Sequence, residues 1–428
     1  MRASDYTIWV DLNETRWAAY NALTGGLATF ERTRWVETLR SGRVEEIPPD
    51  KASDLAAGGY VVEDQVDELD VLKYRRDASR FSNNQLALTI MPTTRCNFSC
   101  YYCYQDRSQT IDMSEDTKRR LIEFIRPKLA EVRRLVVVWF GGEPLLAAET
   151  IARLSEVLIG DCRDRAVEYS SHVVTNGYNL TPSMVTALKG VGVNRIQVTL
   201  DGPAEVHDKR RPLRGGEPTF ETIVANLSEA RRAFKITLRI TVDRKNFNDA
   251  LRLRGILQSQ GLLEDCYVHL GATQHHTPAC SALADDCFGW AELNDRMLQL
   301  LEQGTELPVS PEHLYPRPHM GCCSATNSQA VVVYPDGRLF KCFETVGLPG
   351  EATGSLYESR PNLKHTLKWM ALDVFQVPTC RRCKVLPLCL GGCPRRWLQE
   401  GRPVCMGWKA NLQRWILYYA RRLAGTQA

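Results

Sequence analysis

The sequence has no apolar run approaching the roughly 18 residues that a membrane-spanning helix needs. Its first residues, MRASDYTIWVD, contain no apolar stretch after the Arg, which reads as a chain without a secretory signal and places it in the cytoplasm. Strong charge of one sign is also missing: the formal net charge is +4 over 428 residues, and basic residues are scattered singly or in pairs, so neither nucleic acid nor a membrane surface is expected as a partner. There is no low-complexity tract and no internal repeat beyond a strand–helix alternation. At 44% hydrophobic and 24% charged, the composition excludes long disorder and fits a soluble globular protein of several domains. Cysteine is the one residue in excess. Fifteen cysteines in a chain this long, with no export signal, do not fit the disulfide framework of small secreted domains. Most fall into spaced groups near residue 100 and after residue 320, where thiolates in tight clusters read as metal ligands.

Residues 1–80 form a small α+β unit: YTIWVDL as a strand, WAAYNALTGGLATF as strand, Gly turn and strand, two short helices, and GYVVEDQVDE as a returning strand. A charged connector, VLKYRRDASRFSNN, follows. From 86 to 270, apolar strands alternate with helices: LALTIMP, LVVVWF, SSHVVTN, RIQVTL, ITLRITV and CYVHLG are the six strands. Such Val/Ile/Leu runs separated by helices predict a parallel sheet covered on both faces, and six units fit a partial (β/α)6 TIM-like barrel of the α/β class. Residues 271–320 read as a helix and a Pro-rich linker, 321–410 as a cysteine-rich domain with a hairpin at the PDG turn, and 411–428 as a C-terminal amphipathic helix.

The unusual residues sit after successive strands: TTRCNFSCYYCY, then GGEP, then TNG, then LDGP. Active sites of parallel barrels lie at the C-terminal ends of the strands, so four such loops converge on one rim. Cys96, Cys100 and Cys103 form C-x3-C-x2-C. Three thiolates in one loop can hold three irons of a cubane and leave the fourth open for chemistry, whereas zinc wants a fourth Cys or His close by.

This spacing, with GGEP, TNG and LDGP at the later strand ends, resembles the radical S-adenosylmethionine (radical SAM) superfamily over residues 86–270. The resemblance implies that Cys96, Cys100 and Cys103 hold a catalytic [4Fe-4S] cluster whose open iron chelates S-adenosylmethionine. One electron, from a donor such as flavodoxin or ferredoxin, then yields a 5′-deoxyadenosyl radical that abstracts a substrate hydrogen. It also implies cofactor contacts from Tyr102, from Gly141, Gly142, Glu143 and Pro144, from Asn176 and Thr199, and from Arg211 toward the carboxylate. Further along, C-x13-G-x4-C…C-x2-C-x5-C-x3-C…C looks like the SPASM extension. That likeness implies two auxiliary [4Fe-4S] clusters, three clusters in all. Cys342 and Cys393 would hold the first with Cys322, Cys323 or both; Cys380, Cys383, Cys389 and Cys405 would hold the second.

SPASM proteins mostly modify peptides. In the anaerobic sulfatase maturases an Asp follows the cysteine of the G-x4-C element, whereas here Phe343 and Glu344 follow Cys342. The expectation is therefore an enzyme acting on a ribosomally made precursor peptide and installing a thioether or carbon–carbon crosslink, with residues 1–80 as a winged-helix type of peptide-recognition domain. The alternatives are a formylglycine-generating maturase and a non-catalytic iron–sulfur carrier.

Overall fold

The computed structural model describes residues 1–106, 110–275, 277–319, 321, 323–359 and 362–425. Its secondary structure separates into two compact units, one of residues 81–288 and 324–371, the other of residues 1–80, 289–323 and 372–428.

The larger unit is a nine-stranded sheet. Six strands, β1 (Gln85–Ile90), β2 (Arg134–Trp139), β3 (Glu168–Thr175), β4 (Val193–Leu200), β5 (Lys235–Val242) and β6 (Cys266–Ala272), pair in sequential order, all parallel. These are the six strands read from the sequence. Between them run α1 (Glu115–Leu129), α2 (Ala148–Asp164), α3 (Pro182–Gly190), α4 (Ala204–Arg210), α5 (Phe220–Ala230) and α6 (Phe247–Ser259). Ser114 caps α1 through its side chain, accepting from Thr117 N–H, and Thr181 caps α3 in the same way from Met184 N–H, each satisfying an otherwise orphaned donor.

Two features differ from the sequence reading. First, the sheet continues past β1: β7 (Ala330–Val333) pairs with it in parallel, and β8 (Arg338–Phe340) and β9 (Gly354–Ser355) follow antiparallel. The PDG hairpin is therefore part of the barrel sheet. The chain can turn there because Gly337 takes φ +89°, a conformation open mainly to glycine. Second, the strands are not covered on both faces. Leu135, Val137 and Trp139 of β2 are fully buried against the helices, as are Leu238 and Ile240 of β5, while Val136 and Val138, and Thr237 and Arg239, between them are only half-buried. Sequential order with right-handed crossovers puts all helices on one face and leaves the other to line a concavity.

In the smaller unit, strands Thr7–Asp11, Arg16–Asn21 and Leu27–Glu31 form an antiparallel sheet with Thr7–Asp11 on one edge. Its central strand is buried on both faces. Ala18 and Tyr20 join Tyr6, Leu72, Val374, Phe375, Leu386, Leu412 and Ile416 in one core, and Ala19 joins Leu39, Leu55, Tyr60 and Val61 in another. Residues 1–80 thus share a core with the C-terminal segment. The stretch read as a charged connector is a helix, Glu68–Arg80. Its buried face is Glu68, Leu72, Arg76 and Arg80, spaced four apart, so apolar periodicity gives no signal. Arg76 donates to Asp373 at 2.7 Å and stacks over the Phe375 ring at 4.6 Å.

Candidate active site

The cysteine loop leaves β1 at Met91 and is pinned on both sides. Thr93 bridges Asp112, and Phe98 bridges Leu213. Ser99 N–H donates to the Pro212 carbonyl at 3.0 Å, and Arg214 N–H to the Asn97 carbonyl at 2.8 Å. The segment after α4 therefore forms one wall of the loop that carries Cys96, Cys100 and Cys103. All three thiols are partly exposed, and none of the fourteen described cysteines is in a disulfide. Phe98 N–H donates to the Cys96 sulfur at 3.4 Å.

GGEP packs against the same loop. Gly141, at φ +141°, would drive a Cβ into the Thr93 carbonyl oxygen, and a Cβ on Gly142 would collide with the carbonyl oxygens of Thr94 and Arg95. Glu143 N–H donates to the Arg95 carbonyl at 2.7 Å, and Gln105 donates to the Gly141 carbonyl at 2.8 Å. The two glycines thus permit close approach of loop to loop. Glu143 is fully buried and ties three elements together. It accepts from Leu145 N–H (3.0 Å) at the start of the turn opened by Pro144, from the Thr175 hydroxyl (2.7 Å) and from Asn176 N–H (2.7 Å). Burial raises its pKa, against the pull of those hydrogen bonds and of Arg211. Asn176 donates from its amide to Asn97 Oδ1 at 2.8 Å, joining the end of β3 to the cysteine loop.

Two adjacent arginines after β4 divide their work. Arg210 is ion-paired twice: it donates from Nε to Asp201 at 3.2 Å and from one terminal nitrogen to Asp243 at 2.9 Å and to the Tyr101 hydroxyl at 2.6 Å, while its other terminal nitrogen is buried without a hydrogen-bond partner among the described residues. Among the described residues the Arg211 side chain donates only to the Tyr102 hydroxyl, at 2.6 Å, and its buried Nε has no hydrogen-bond partner. Burial opposes its charge, but Tyr102 and Cys100 outweigh that and hold its pKa well above the usual value. His207 accepts from Asp201 N–H at 3.2 Å through Nδ1, so its proton is on Nε2, which is buried without a hydrogen-bond partner among the described residues. Burial, then the two arginines, depress its pKa far below the usual range and keep it neutral. Thr199 stands on β4 with its register partner Arg239 on β5.

Of the predicted contacts, Tyr102 lies in the loop of the three cysteines, and Gly141, Gly142, Glu143, Asn176 and Arg211 lie against it; Pro144 opens the turn that follows Glu143, and Thr199 stands on β4 with no hydrogen bond to the loop among the described residues. Sequence reasoning missed Tyr101, Asp201, Arg210 and Asp243, the ion-paired girdle that holds the loop from behind. Asp243, at the end of the fifth strand in TVDR, is the one signal that could have found them.

The donor set suits a cubane with a polar ligand. Among the described residues, no three His, Cys, Asp or Glu converge on a single-ion position. A cubane takes one thiolate per iron and needs no such point. Partly exposed thiols beside a guanidinium with an unsatisfied donor fit an anionic cluster and a carboxylate-bearing cofactor.

In the smaller unit, Cys380, Cys383, Cys389 and Cys405 lie within Coulomb reach of one another. Burial, then Cys383 and Cys405, raise the Cys380 pKa; burial foremost, with Cys383, Cys380 and Cys405, pushes Cys389 up to about 11. The turn that gathers them needs glycine. Gly391 and Gly392 take φ of +92° and +77°, and a Cβ on Gly392 would collide with the Val404 carbonyl beside Cys405. Cys393 opens the helix Pro394–Glu400 in this unit, and Cys323 is also here and exposed. Cys342 belongs to the larger unit, where Phe343 packs its ring near Tyr104 and Phe140, at 6.5 and 5.7 Å. Cys322 lies outside the described residues. Cys162 and Cys266 are buried in α2 and β6.

Residues 90–253 match the family model of the Radical SAM superfamily. This segment is a radical SAM domain. The family implies a [4Fe-4S] cluster and S-adenosylmethionine at the loop just described. Among curated relatives, the chain is 27% identical over 217 residues to Fe-coproporphyrin III synthase of Methanosarcina barkeri, covering 48% of this chain and 51% of that protein. The chain spans about half the length, or less, of the first curated relatives it matches. A longer match is to the serine-type anaerobic sulfatase-maturating enzyme of Klebsiella aerogenes, 26% identical over 335 residues, 70% of this chain and 77% of that one. Among solved structures, the fold is similar to native anSMEcpe with bound AdoMet and Kp18Cys peptide (TM-score 0.58, 17% identity, 80% and 99% of the two chains). It is also similar to Streptococcus suis SuiB bound to precursor peptide SuiA (TM-score 0.51, 13% identity, 94% and 98%). Among the described residues, no helix is long and apolar enough to cross a membrane.

Proposed function

We propose that this radical SAM protein modifies a ribosomally synthesised precursor peptide by installing a thioether or carbon–carbon crosslink. The carrying observation is an open strand edge in the smaller unit. Among the described residues Thr7–Asp11 is paired with a strand on one side only, its Thr7 carbonyl accepting from Lys384 Nζ at 2.9 Å, and beside it lies a cleft of about 600 Å³ lined by Ile8, Trp9, Glu37, Arg40, Ser41, Lys384 and Gln413. An extended leader peptide can add to such an edge, with main-chain hydrogen bonds giving affinity and the cleft giving choice. A tethered leader would supply the core peptide to the radical SAM site at high effective concentration. The fold likeness to SuiB, itself bound to a precursor peptide, supports this reading.

Cys96, Cys100 and Cys103 would hold the catalytic cluster, which supplies the electron that releases a hydrogen-abstracting radical from S-adenosylmethionine. The protein's own part is orientation. Arg211 offers a buried donor to a carboxylate, the Glu143 hub fixes GGEP and Asn176 against the cysteine loop, and the Arg210 girdle holds Tyr101 and Tyr102. Cys380, Cys383, Cys389 and Cys405 would hold one auxiliary cluster, and Cys342 and Cys393 with Cys322 or Cys323 another. A flavodoxin or ferredoxin would be the reductant, in the cytoplasm.

A second reading, formylglycine formation, is favoured by the long match to a sulfatase-maturating enzyme. Phe343 after Cys342, in place of an Asp, weighs against it. The deciding experiment incubates the reconstituted enzyme anaerobically with dithionite, S-adenosylmethionine and either a short peptide encoded beside its gene or a sulfatase-derived Ser/Cys peptide. Loss of two hydrogens with a crosslink visible by tandem mass spectrometry supports the first reading. An aldehyde in the sulfatase peptide alone supports the second.

A further inference from the structure

The concave face of the sheet carries an unusual set of side chains. Thr199 on β4, Arg239 on β5 and His269 on β6 share one register level, Thr199 opposite Arg239 and Arg239 opposite His269. With strands about 4.8 Å apart, they lie abreast across about 10 Å. Gln197 stands two residues earlier on β4, and Arg195, opposite His172 of β3, two earlier again. The helix-facing neighbours Ile196, Val198, Leu238 and Ile240 are buried, so the polar set turns the other way.

Neither Arg195 nor Arg239 has an ion pair or hydrogen bond with a described residue, and neither guanidinium is sealed from solvent. Elsewhere in this unit arginines find acids readily, as Arg210 does with two. The Arg239 head lies directly over Gly271 of β6: a Cβ there would run into the guanidinium, within 2.9 Å of its Nε. Arg239 stands in register with Thr199 and His269, and Arg195 with His172 and Lys235, so no acid is a register partner of either arginine. Burial, then Arg239, push His269 down to about 4, and burial, then Arg195 and Arg134, lower His172. A half-buried guanidinium seated on a glycine, flanked by a hydroxyl and a neutral imidazole and facing no acid, is complementary to a carboxylate.

We propose that the inner face of the sheet, centred on Arg239 with Thr199 and His269 beside it, binds a carboxylate carried by the substrate, an Asp or Glu side chain of the peptide. The proposal rests on the peptide reading above and adds the chemistry of the residue that the barrel accepts.

The test is calorimetric and needs no turnover. Cluster-loaded enzyme, saturated with S-adenosylmethionine, is titrated with N-acetyl-glutamate N-methylamide and with its neutral isostere, N-acetyl-glutamine N-methylamide. The acid should bind at least about tenfold more tightly than the amide, as a charge-assisted contact requires. Arg239→Gln should remove that preference. Gly271→Ala, which displaces the guanidinium while keeping its charge, should reduce it, with melting and cluster absorbance showing that both variants fold. Equal binding of the two probes, or a preference that survives Arg239→Gln, would overturn the proposal. So would acid binding seen only without S-adenosylmethionine, which would give Arg239 to the cofactor. An acid preference that depends on Arg239, in an enzyme that modifies no precursor peptide, would keep the carboxylate site and discard the peptide reading.

Discussion

Arg210 ties the ends of two strands of the barrel to the cysteine loop. Its side chain is 7% exposed, and the two carboxylates it bridges, Asp201 and Asp243, are 0% and 1% exposed. Arg210→Met keeps most of the stem but strands two buried carboxylates. Removing one partner of a buried ion pair costs about 3–5 kcal/mol. At roughly 2–4 °C per kcal/mol for a unit of this size, the melting midpoint should fall by about 6–20 °C. The assay is thermal unfolding of the reconstituted protein at one fixed scan rate, since an iron–sulfur protein unfolds irreversibly. Arg163→Ala serves as control, because its contact with Asp164 is 4.0 Å long and largely exposed; such a pair contributes about 0–1 kcal/mol. The double change Arg210→Met with Asp243→Asn should recover part of the loss by removing one stranded charge. pH supplies a second check. Burial works against the Asp243 carboxylate, yet Arg210 and Tyr101 outweigh it, and its pKa in the folded protein is lowered from 3.8. A lowered carboxylate contributes stability that is complete above the unfolded value and is lost as pH falls through the folded one. Wild type should therefore lose stability below about pH 4, and Arg210→Met should show less of that acid slope. A midpoint for Arg210→Met within about 2 °C of wild type, where some 6 °C or more is expected, would refute the reasoning.

Replacing Cys96, Cys100 and Cys103 together with Ala should abolish 5′-deoxyadenosine formation and remove about four of about 12 irons, leaving the auxiliary clusters in place. Iron analysis and electron paramagnetic resonance of the reduced protein check this, and an unchanged iron content would show that other residues hold the cluster. Gly142→Ala should separate GGEP from Thr94 and Arg95 and lower S-adenosylmethionine cleavage at least about tenfold. Gly160→Ala in α2, where a Cβ meets nothing within 4 Å, should instead stabilise by about 0.5–1 kcal/mol in the same melting assay. Ser41→Trp places an indole beside the cleft at the edge strand; it should weaken leader-peptide binding at least about tenfold by fluorescence anisotropy while leaving S-adenosylmethionine cleavage intact. Unaltered binding would move the leader site elsewhere.

The barrel was legible because its signal is long and redundant: six apolar strands, each followed by a helical period. What stayed hidden was placement across distance. The hairpin 330–340 reads as a hairpin from PDG, but nothing local says that Ala330–Val333 pairs with Gln85–Ile90. Likewise, the helix Glu68–Arg80 buries arginines, and a charged face buried by an ion pair and an aromatic ring in residues 373–375 leaves no apolar trace. An acidic or basic residue reads as solvated until its partner is known.

The site divides along the same line. Cysteines at fixed short spacing, and glycines where backbones touch, are dictated by geometry within a single loop, so Cys96, Cys100, Cys103, Gly141 and Gly142 stand out unaided. Arg210 and Arg211 are neighbours of the same type, and only the fold tells them apart. Arg210 is ion-paired to Asp201 and Asp243 and bonded to Tyr101, from the ends of β4 and β5 and from the cysteine loop. Each arginine keeps one buried donor without a partner among the described residues, but Arg211 makes no ion pair with any of them. The same reasoning separates Arg239 from both. Its alternation along β5 marks it only as a residue turned from the helices, and it becomes a candidate once the register sets it between Thr199 and His269 over Gly271. A buried or half-buried charge is thus informative in proportion to the partners it lacks, and that quantity exists only in three dimensions.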